Sequence, residues 1–366
     1  MPAACASHDT APGRALAGAG TGIRHAGAAQ VEEGARAEEG VRADVEGSAP
    51  LDAAIVLVNY RTPDLVERCL ASVEATREQL VLDIVIVDNG SADGSVQRLR
   101  AALPAASVLA LSTNGGFAAG VNAGLAHTRA EIAIVLNPDT ELRPGALQAL
   151  IAHLREHPRT GIAAPLLEDP AGRLAPNGYR RFPGLGTLAL ELCIPLGYAL
   201  VHVPALHPYA MSPAALRAGA RPAHVYGAVL AIRRSAYEQA GPLDEGFFMY
   251  LEETEFQRRV ARCGWAIEIV PSACALHLVR GGEQAALAPS PHFVLSAIRY
   301  LRLRGVPAPV SRTVLALALA SSWIALGLIA LLPSKRAIAT LQARAYRSLA
   351  ALAVTGRLRR VRPGTD

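Results

Sequence analysis

Cysteine is scarce in this 366-residue chain: five residues, an odd number, with no Cys-x-x-Cys pair. That excludes a disulfide scaffold and a thiolate zinc site of ordinary spacing. Cys5, Cys69, Cys193, Cys263 and Cys274 read as reduced, mostly buried thiols of a cytosolic protein. No apolar leader opens the chain. Residues 1–50 are rich in Ala, Gly, Glu and Arg, a composition that predicts disorder. Their "GAGTG", residues 18–22, has neither a preceding strand nor GxGxxG spacing, so it is not a dinucleotide loop. A Walker Gly-Lys-Ser/Thr, zinc-finger spacing and an RNA-binding aromatic signature are missing too, which leaves no nucleic acid among the expected partners.

Acid nearly vanishes from the last quarter. Residues 284–366 hold twelve Lys/Arg against one acidic residue, while the first 283 residues hold 24 basic and 30 acidic. The formal net charge of +5 therefore hides an acidic body and a basic tail, which points to an anionic surface as partner. Charge is wholly absent from "TVLALALASSWIALGLIALL", residues 313–332, twenty residues that meet the length of a bilayer crossing. Arg312 flanks one end, Lys335 and Arg336 the other, so the basic residues leave orientation open. A buried or interfacial helix fits the same stretch. The following "SKRAIATLQARAYRSLAALAVTGRLRRVR" reads as a basic amphipathic helix able to lie on anionic lipid.

Hydrophobic residues make up 51% of the chain, enough for a large core. Ala53–Val58 is a short run suited to a strand buried on both faces. Thr62-Pro63-Asp64 predicts a helix start, with Thr62 as cap, and Leu65, Val66, Cys69, Leu70 and Val73 follow at helical spacing. Strands at Ile84–Val87, near Ser107–Leu111 and at Ile132–Leu136 alternate with helices. This predicts an α/β protein with a mostly parallel, doubly wound sheet. A less regular Pro- and Gly-containing segment, from about Pro165 to Pro222, is expected to cover the sheet's open side. A strand at Ile267–Val270 comes later.

Ligands of such sheets bind outside the carboxyl ends of the strands. Four polar clusters fall there: Asn59, Asp88-Asn89, Asn114-Gly115-Gly116 and Asn137-Pro138-Asp139. Asn-Pro-Asp alone is an ordinary turn, but a carboxylate after a buried strand can also hold a hard cation against phosphate. In "NGGFAAGVNAGL", residues 114–125, paired glycines allow close backbone approach and a helix start faces any anion. In "DEGFFMYLEETEFQRR", residues 244–259, Glu252, Glu253 and Glu255 crowd beside aromatics. That is either an acidic helix start favoured by the macrodipole or a carboxylate cluster tuned as a general base.

"VNYRTPDLVERCLASV", "IVIVDNGSADGSV", "NGGFAAGVNAGL", "LNPDTEL", "GAVLAIRRSAYEQAGPLDEGFFMYLEETEFQRR" and "CGW" resemble, in this order, family 2 glycosyltransferases. The similarity is greatest to the rhamnosyltransferase-like group that extends bacterial cell-surface glycans, and it runs from about Ala53 to Gly282. The resemblance implies a GT-A fold and inverting transfer from a nucleotide-sugar, usually with Mg2+ or Mn2+. By position, Asn59 and Asp88 would contact the nucleoside, and Asn114, Gly116 and Asn122 would sit along the nucleotide-sugar. Asn137-Pro138-Asp139 occupies the family's DxD position, with Asn137 replacing one acid and Asp139 facing the metal. Glu252-Glu253 stands where the family has Glu-Asp, so Glu253 is the expected base and Glu252 the second candidate. Glu255 would support them. His277 matches a histidine that can complete the metal site, and Tyr179-Arg180-Arg181-Phe182-Pro183 resembles an Arg-x-Phe-Pro element.

The resulting expectation is a disordered extension (1–50), a GT-A domain (51–305) and a membrane-associating basic tail (306–366). The GT-A domain would divide into a nucleotide half (51–165) and an acceptor and catalytic half (166–305). The acceptor would be a lipid-linked or cell-surface glycan, and the site of action the cytoplasmic face of the inner membrane, through peripheral or single-span attachment. A catalytically degenerate binding or scaffold protein is the first rival. A sugar nucleotidyltransferase is another, but it needs a Gly-rich basic loop after the first strand, where "NYRTPD" stands.

Overall fold

The computed structural model describes residues 50–175, 178–179, 181–194, 211–278 and 289–355. The expected extension up to residue 49, Arg180, the "VRGG" at 279–282 and the tail from 356 onward lie outside the described residues.

Ten strands and eleven α-helices are described. In chain order they are β1 (Ala53–Asn59), α1 (Pro63–Thr76), β2 (Leu82–Asp88), α2 (Ser95–Ala102), β3 (Ser107–Ala110), α3 (Phe117–His127), β4 (Ile132–Leu136), β5 (Thr140–Leu142), α4 (Ala146–Glu156) and β6 (Thr160–Glu168). The chain continues with β7 (Gly178–Tyr179), α5 (Leu185–Leu192), α6 (Pro213–Arg217), β8 (His224–Val225), β9 (Val229–Arg233), α7 (Arg234–Ala240), α8 (Glu252–Arg262) and β10 (Ala266–His277). Three long helices close it: α9 (Pro291–Leu303), α10 (Ala308–Ile329) and α11 (Arg336–Thr355).

Eight strands form one mixed sheet in the order β3-β2-β1-β4-β9-β6-β10-β5, and β7 and β8 pair separately. The alternating pattern of the first half produces the parallel half, β3-β2-β1-β4. Chain order reverses between β1 and β4, which opens a crevice at their carboxyl ends. β9 runs antiparallel to β4, with Val229 opposite Leu136. Its first residues therefore arrive at the same edge as the last residues of β4.

All seven residues of β1 are buried. Ile55 and Leu57 face a core with α1, α2 and α4, while Val56 and Val58 face another with α3 and α8. A third core joins α5, α9, α10 and α11 to Phe247 and Leu251. The C-terminal helices thus share their packing with the chain just ahead of Glu252.

Several local expectations need correction. Thr62 sits at the α1 N-cap but makes no side-chain cap. Instead Asn59 Oδ1 accepts from the Thr62 N–H and hydroxyl, at 3.1 and 3.3 Å. Of the described cysteines only Cys69 is buried, although all four are free thiols. The region after Pro165 does not begin as a cover, because Pro165 lies inside β6. The apolar helix runs over Ala308–Ile329, one turn earlier than its uncharged stretch suggested.

Candidate active site

At the crevice, β1 and β2 end on a buried polar network. Asn59 Nδ2 donates to Asp88 Oδ1 at 2.6 Å, and the Ser91 hydroxyl and backbone N–H donate to the same carboxylate at 2.6 and 2.9 Å. Neither Asn59 nor Asp88 is appreciably exposed. Three donors on one carboxylate fix it in place, so this network holds the two strand ends in register.

Asn89, named by the sequence only as part of a polar cluster, organises the glycine loop. Its amide donates to Asn114 Oδ1 at 3.0 Å and to the Gly116 carbonyl at 2.9 Å, and its oxygen accepts from the Gly115 N–H. Gly116 has φ +88°, and a Cβ there would collide with the Phe248 carbonyl. That carbonyl accepts from the Phe117 N–H at 3.0 Å. The loop is glycine-rich because the backbone of the acidic segment presses against it.

Asn122, expected along the nucleotide-sugar, has its side chain bonded to the segment before α8. Its amide donates to the Leu243 carbonyl and to Glu245, and its oxygen accepts from the Leu243 N–H, each at 2.9 Å. It clamps α3 to the segment before α8, and it is not among the residues lining the cleft described next.

Asn137, Glu252, Glu253 and His277 line one cleft of about 470 Å³, together with Phe117, Tyr226, Gly227, Met249 and Tyr250. Such a volume suits a sugar carrying phosphate. Asn137 begins a tight turn: its carbonyl accepts from Thr140 N–H at 3.1 Å, and its N–H donates to the Ala228 carbonyl at 2.9 Å. The turn leaves Asp139 facing His277, with Oδ1 to Nε2 at 3.4 Å. Backbone pairing of β5 with β10 sets His277 opposite Thr140, and the Leu278 N–H donates to the Asp139 carbonyl at 2.7 Å. One carboxylate oxygen and one imidazole nitrogen can serve as neighbouring ligands of a divalent cation. Among the described residues no third Asp, Glu, His or Cys joins them. A cation there would need phosphate or water oxygens to complete its shell.

Glu252 and Glu253 occupy the first turn of α8. The preceding Tyr250 and Leu251 both have positive φ, 72° and 66°, a conformation that costs each about 1–2 kcal/mol. Packing compensates: Leu251 lies in the third core, and Ser296 donates to the Met249 carbonyl at 2.8 Å. Gln257 locks α8 to β8 through two 2.8 Å bonds with the Val225 backbone.

Burial raises both carboxyls, and the charge of Glu253 raises Glu252 further. Glu252 is almost fully buried, and its Oε2 has no hydrogen-bond partner among the described residues. Glu255 instead pairs with Arg259 at 2.8 Å, so it serves as a strut of α8. Gly227 is a residue that sequence reasoning missed. A Cβ there would stand 3.0 Å from Glu253 Cγ, so its small size leaves the carboxylate its position. Gly227→Ala is expected to lower kcat about tenfold by displacing Glu253, with donor Kd unchanged by calorimetry.

Phe182 stacks on His224, with ring centroids 5.4 Å apart, and Arg304 bonds the Pro183 carbonyl. The described part of the Arg-x-Phe-Pro element is therefore engaged in packing.

Residues 54–187 match the model of glycosyl transferase family 2. An N-acetylglucosaminyl-diphospho-decaprenol L-rhamnosyltransferase of Mycobacterium tuberculosis is 33% identical over 236 residues, covering 61% of this chain and 75% of that enzyme. A low-salt glycan biosynthesis hexosyltransferase of Haloferax volcanii is 26% identical over 217 residues, covering 58% of this chain and 62% of that protein. Two solved structures are similar in outline. The mannosyltransferase PcManGT of Pyrobaculum calidifontis, in complex with GDP-Man and Mn2+, has a TM-score of 0.46 at 17% identity, covering 87% of this chain and 92% of that one. GalNAc-T7 with UDP, GalNAc and Mn2+ has a TM-score of 0.49 at 16% identity, covering 68% of this chain and 48% of that one. With six motifs in order, a sheet whose strand ends carry them, and a relative matched over three quarters of its length, the chain belongs to glycosyltransferase family 2, where it is rhamnosyltransferase-like and has the family's GT-A fold.

Proposed function

We propose that this glycosyltransferase moves a sugar, with inversion, from a nucleotide-sugar to a lipid-linked glycan acceptor, using Glu253 as general base. The observation that carries the reading is the shared cleft: Glu253 lines it with His277 and Asn137, and His277 meets Asp139. The diphosphate of the donor lies toward Asp139 and His277, and the nucleoside toward the strand ends at Asn59 and Asp88. Asn114 and Gly116 shape the loop beside it.

Glu253 takes the proton of the acceptor hydroxyl as its oxygen bonds to the anomeric carbon. The bond from that carbon to the donor phosphate breaks, and the nucleoside diphosphate leaves with the electron pair. Glu252, raised in pKa beside it, keeps its proton and spares the site a second negative charge. Asp139 and His277 would hold Mg2+ or Mn2+, which neutralises charge on the departing diphosphate when bound. The imidazole favours Mn2+ over Mg2+ in this pair.

The acceptor class follows the Mycobacterium relative, whose name specifies a diphospho-decaprenol substrate. The apolar helix and basic tail suit work at a membrane, on the cytoplasmic face where nucleotide-sugars are made. Division into a nucleotide half (51–165), an acceptor half (166–305) and a tail (306–366) fits this scheme. A panel of nucleotide-sugars, offered with a polyprenyl-diphospho-N-acetylglucosamine and Mn2+, tests the reading. Transfer of one sugar, rhamnose first among them, with inverted anomeric configuration by NMR is expected. Retention of configuration, or donor binding without transfer to any acceptor in the panel, would reject it.

A further inference from the structure

By length and composition α10 could cross a bilayer. Its surroundings argue against that. Past its middle, the Ser322 hydroxyl donates to the Leu192 carbonyl and accepts from the Ile194 N–H, both at 2.8 Å. Leu315, Leu319 and Leu326 are buried in the third core beside α5, α9 and α11. α11 returns along α10 after a short turn and buries Ala339, Ala343 and Tyr346. A crossing α10 would therefore draw α11 into hydrocarbon, with Arg344 and Arg347 exposed on it. Unpaired arginines are among the costliest residues at that depth.

The other side of α10 is apolar as well. Val310, Leu317, Ile324 and Leu328 recur at helical spacing, opposite the buried Leu315, Leu319 and Leu326, and are 46–65% exposed. Eleven of the eighteen large hydrophobics exposed among the described residues lie between Val310 and Val354. A surface this apolar marks an interaction site.

We propose that α10 lies in the plane of an anionic bilayer, its Val310–Leu317–Ile324–Leu328 stripe sunk to the headgroup–acyl boundary, and does not span. Charge selects lipid over a second copy of the chain. Lys335, Arg336, Arg344 and Arg347 are all exposed on this hairpin, and residues 284–366 carry one acid. Two copies would oppose like charges, whereas anionic headgroups satisfy them. The same core reaches the catalytic loop. Phe247 and Leu251 pack in it, and α9 stacks His292 on Phe248 at 4.5 Å. Docking would then bring the cleft rim to the bilayer surface; that last step rests on the lipid-linked acceptor proposed above, whereas docking itself does not.

Trp265 and Trp323 are the two tryptophans of the chain, and Trp323 is 40% exposed on α10. The full chain carrying Trp265→Phe is mixed with vesicles of about 30% anionic lipid, brominated at shallow or at deep acyl positions. Stronger quenching of Trp323 by the shallow label is expected. Leu317→Glu with Ile324→Glu, both solvent-facing, should weaken vesicle binding at least about tenfold while leaving the circular dichroism unchanged. If Trp265→Phe misfolds, the wild-type chain serves, with Trp265 as a constant background. Strongest quenching by the deep label would establish a span and overturn the proposal. So would absence of quenching, with or without dimers by light scattering. Donor hydrolysis without acceptor reports the glycosyltransferase site separately.

Discussion

Glu253→Gln is expected to lower kcat by about 10²–10⁴-fold, the usual share of a positioned general base. Donor affinity should stay within about twofold, because the base acts on the acceptor proton and forms no bond to the nucleotide. Glutamine preserves the length and shape of the side chain that Gly227 leaves room for, so a loss reports the missing proton acceptor. The pH profile gives a second readout. Burial raises Glu253 above the usual carboxylate range, and a base works only once its proton is gone. Wild-type kcat/KM should therefore climb with pH through that raised value, and this limb should vanish in the variant. Glu252→Gln, which replaces a carboxyl already held neutral one residue away, should retain far more activity. If the two variants fall equally, the roles assigned to the pair are wrong.

Asp139→Ala is expected to abolish stimulation by Mn2+ and to lower kcat/KM by at least about a hundredfold at saturating metal. The residue supplies the only carboxylate within reach of His277 among the described ion pairs, and one imidazole holds a hard cation poorly. Isothermal titration of Mn2+ with nucleoside diphosphate checks the cause directly. Metal-dependent tightening of the nucleotide should disappear in the variant and persist in Glu253→Gln. An unchanged metal response in Asp139→Ala would remove the cation from this corner of the cleft.

The parallel half of the sheet was legible because each of its strands is a short apolar run closed by a polar cluster. Periodicity and punctuation coincide there, and Ile132–Leu136 is found as read. The mixed half, β9-β6-β10-β5, was not. Thr160–Glu168 carries Pro165, which argues against a central strand. The structure accommodates it where β10 breaks register between Val270 and Cys274, immediately after the Val270–Pro165 pair. The missing donor thus falls beside a break in the ladder, a long-range arrangement that no local pattern announces. β9 was similarly hidden, since nothing in "GAVLAIRR" says that it inserts between β4 and β6.

The candidate site divides along the same line. Asn137, Glu252, Glu253 and His277 could be named from motifs and meet in one cleft. Asn89 and Gly227 act through geometry: one amide bridging two loops, and one absent side chain. Such roles become visible only when residues distant in sequence are placed side by side. Asn122, a polar residue inside a ligand-facing motif, also bonds the segment before α8, a contact the motif itself does not reveal.

The packing of Phe247 and Leu251 with α10 and α11 has a practical consequence for anyone shortening the protein to make it easier to handle. A cut before Ala308 would bare an oily flank directly beneath the two left-handed residues that aim Glu252 and Glu253. Such a fragment would stay soluble poorly and turn over badly even on a water-soluble acceptor, and its inactivity would say nothing about lipids. Trimming after Thr355 removes the arginine-rich end and leaves that flank covered.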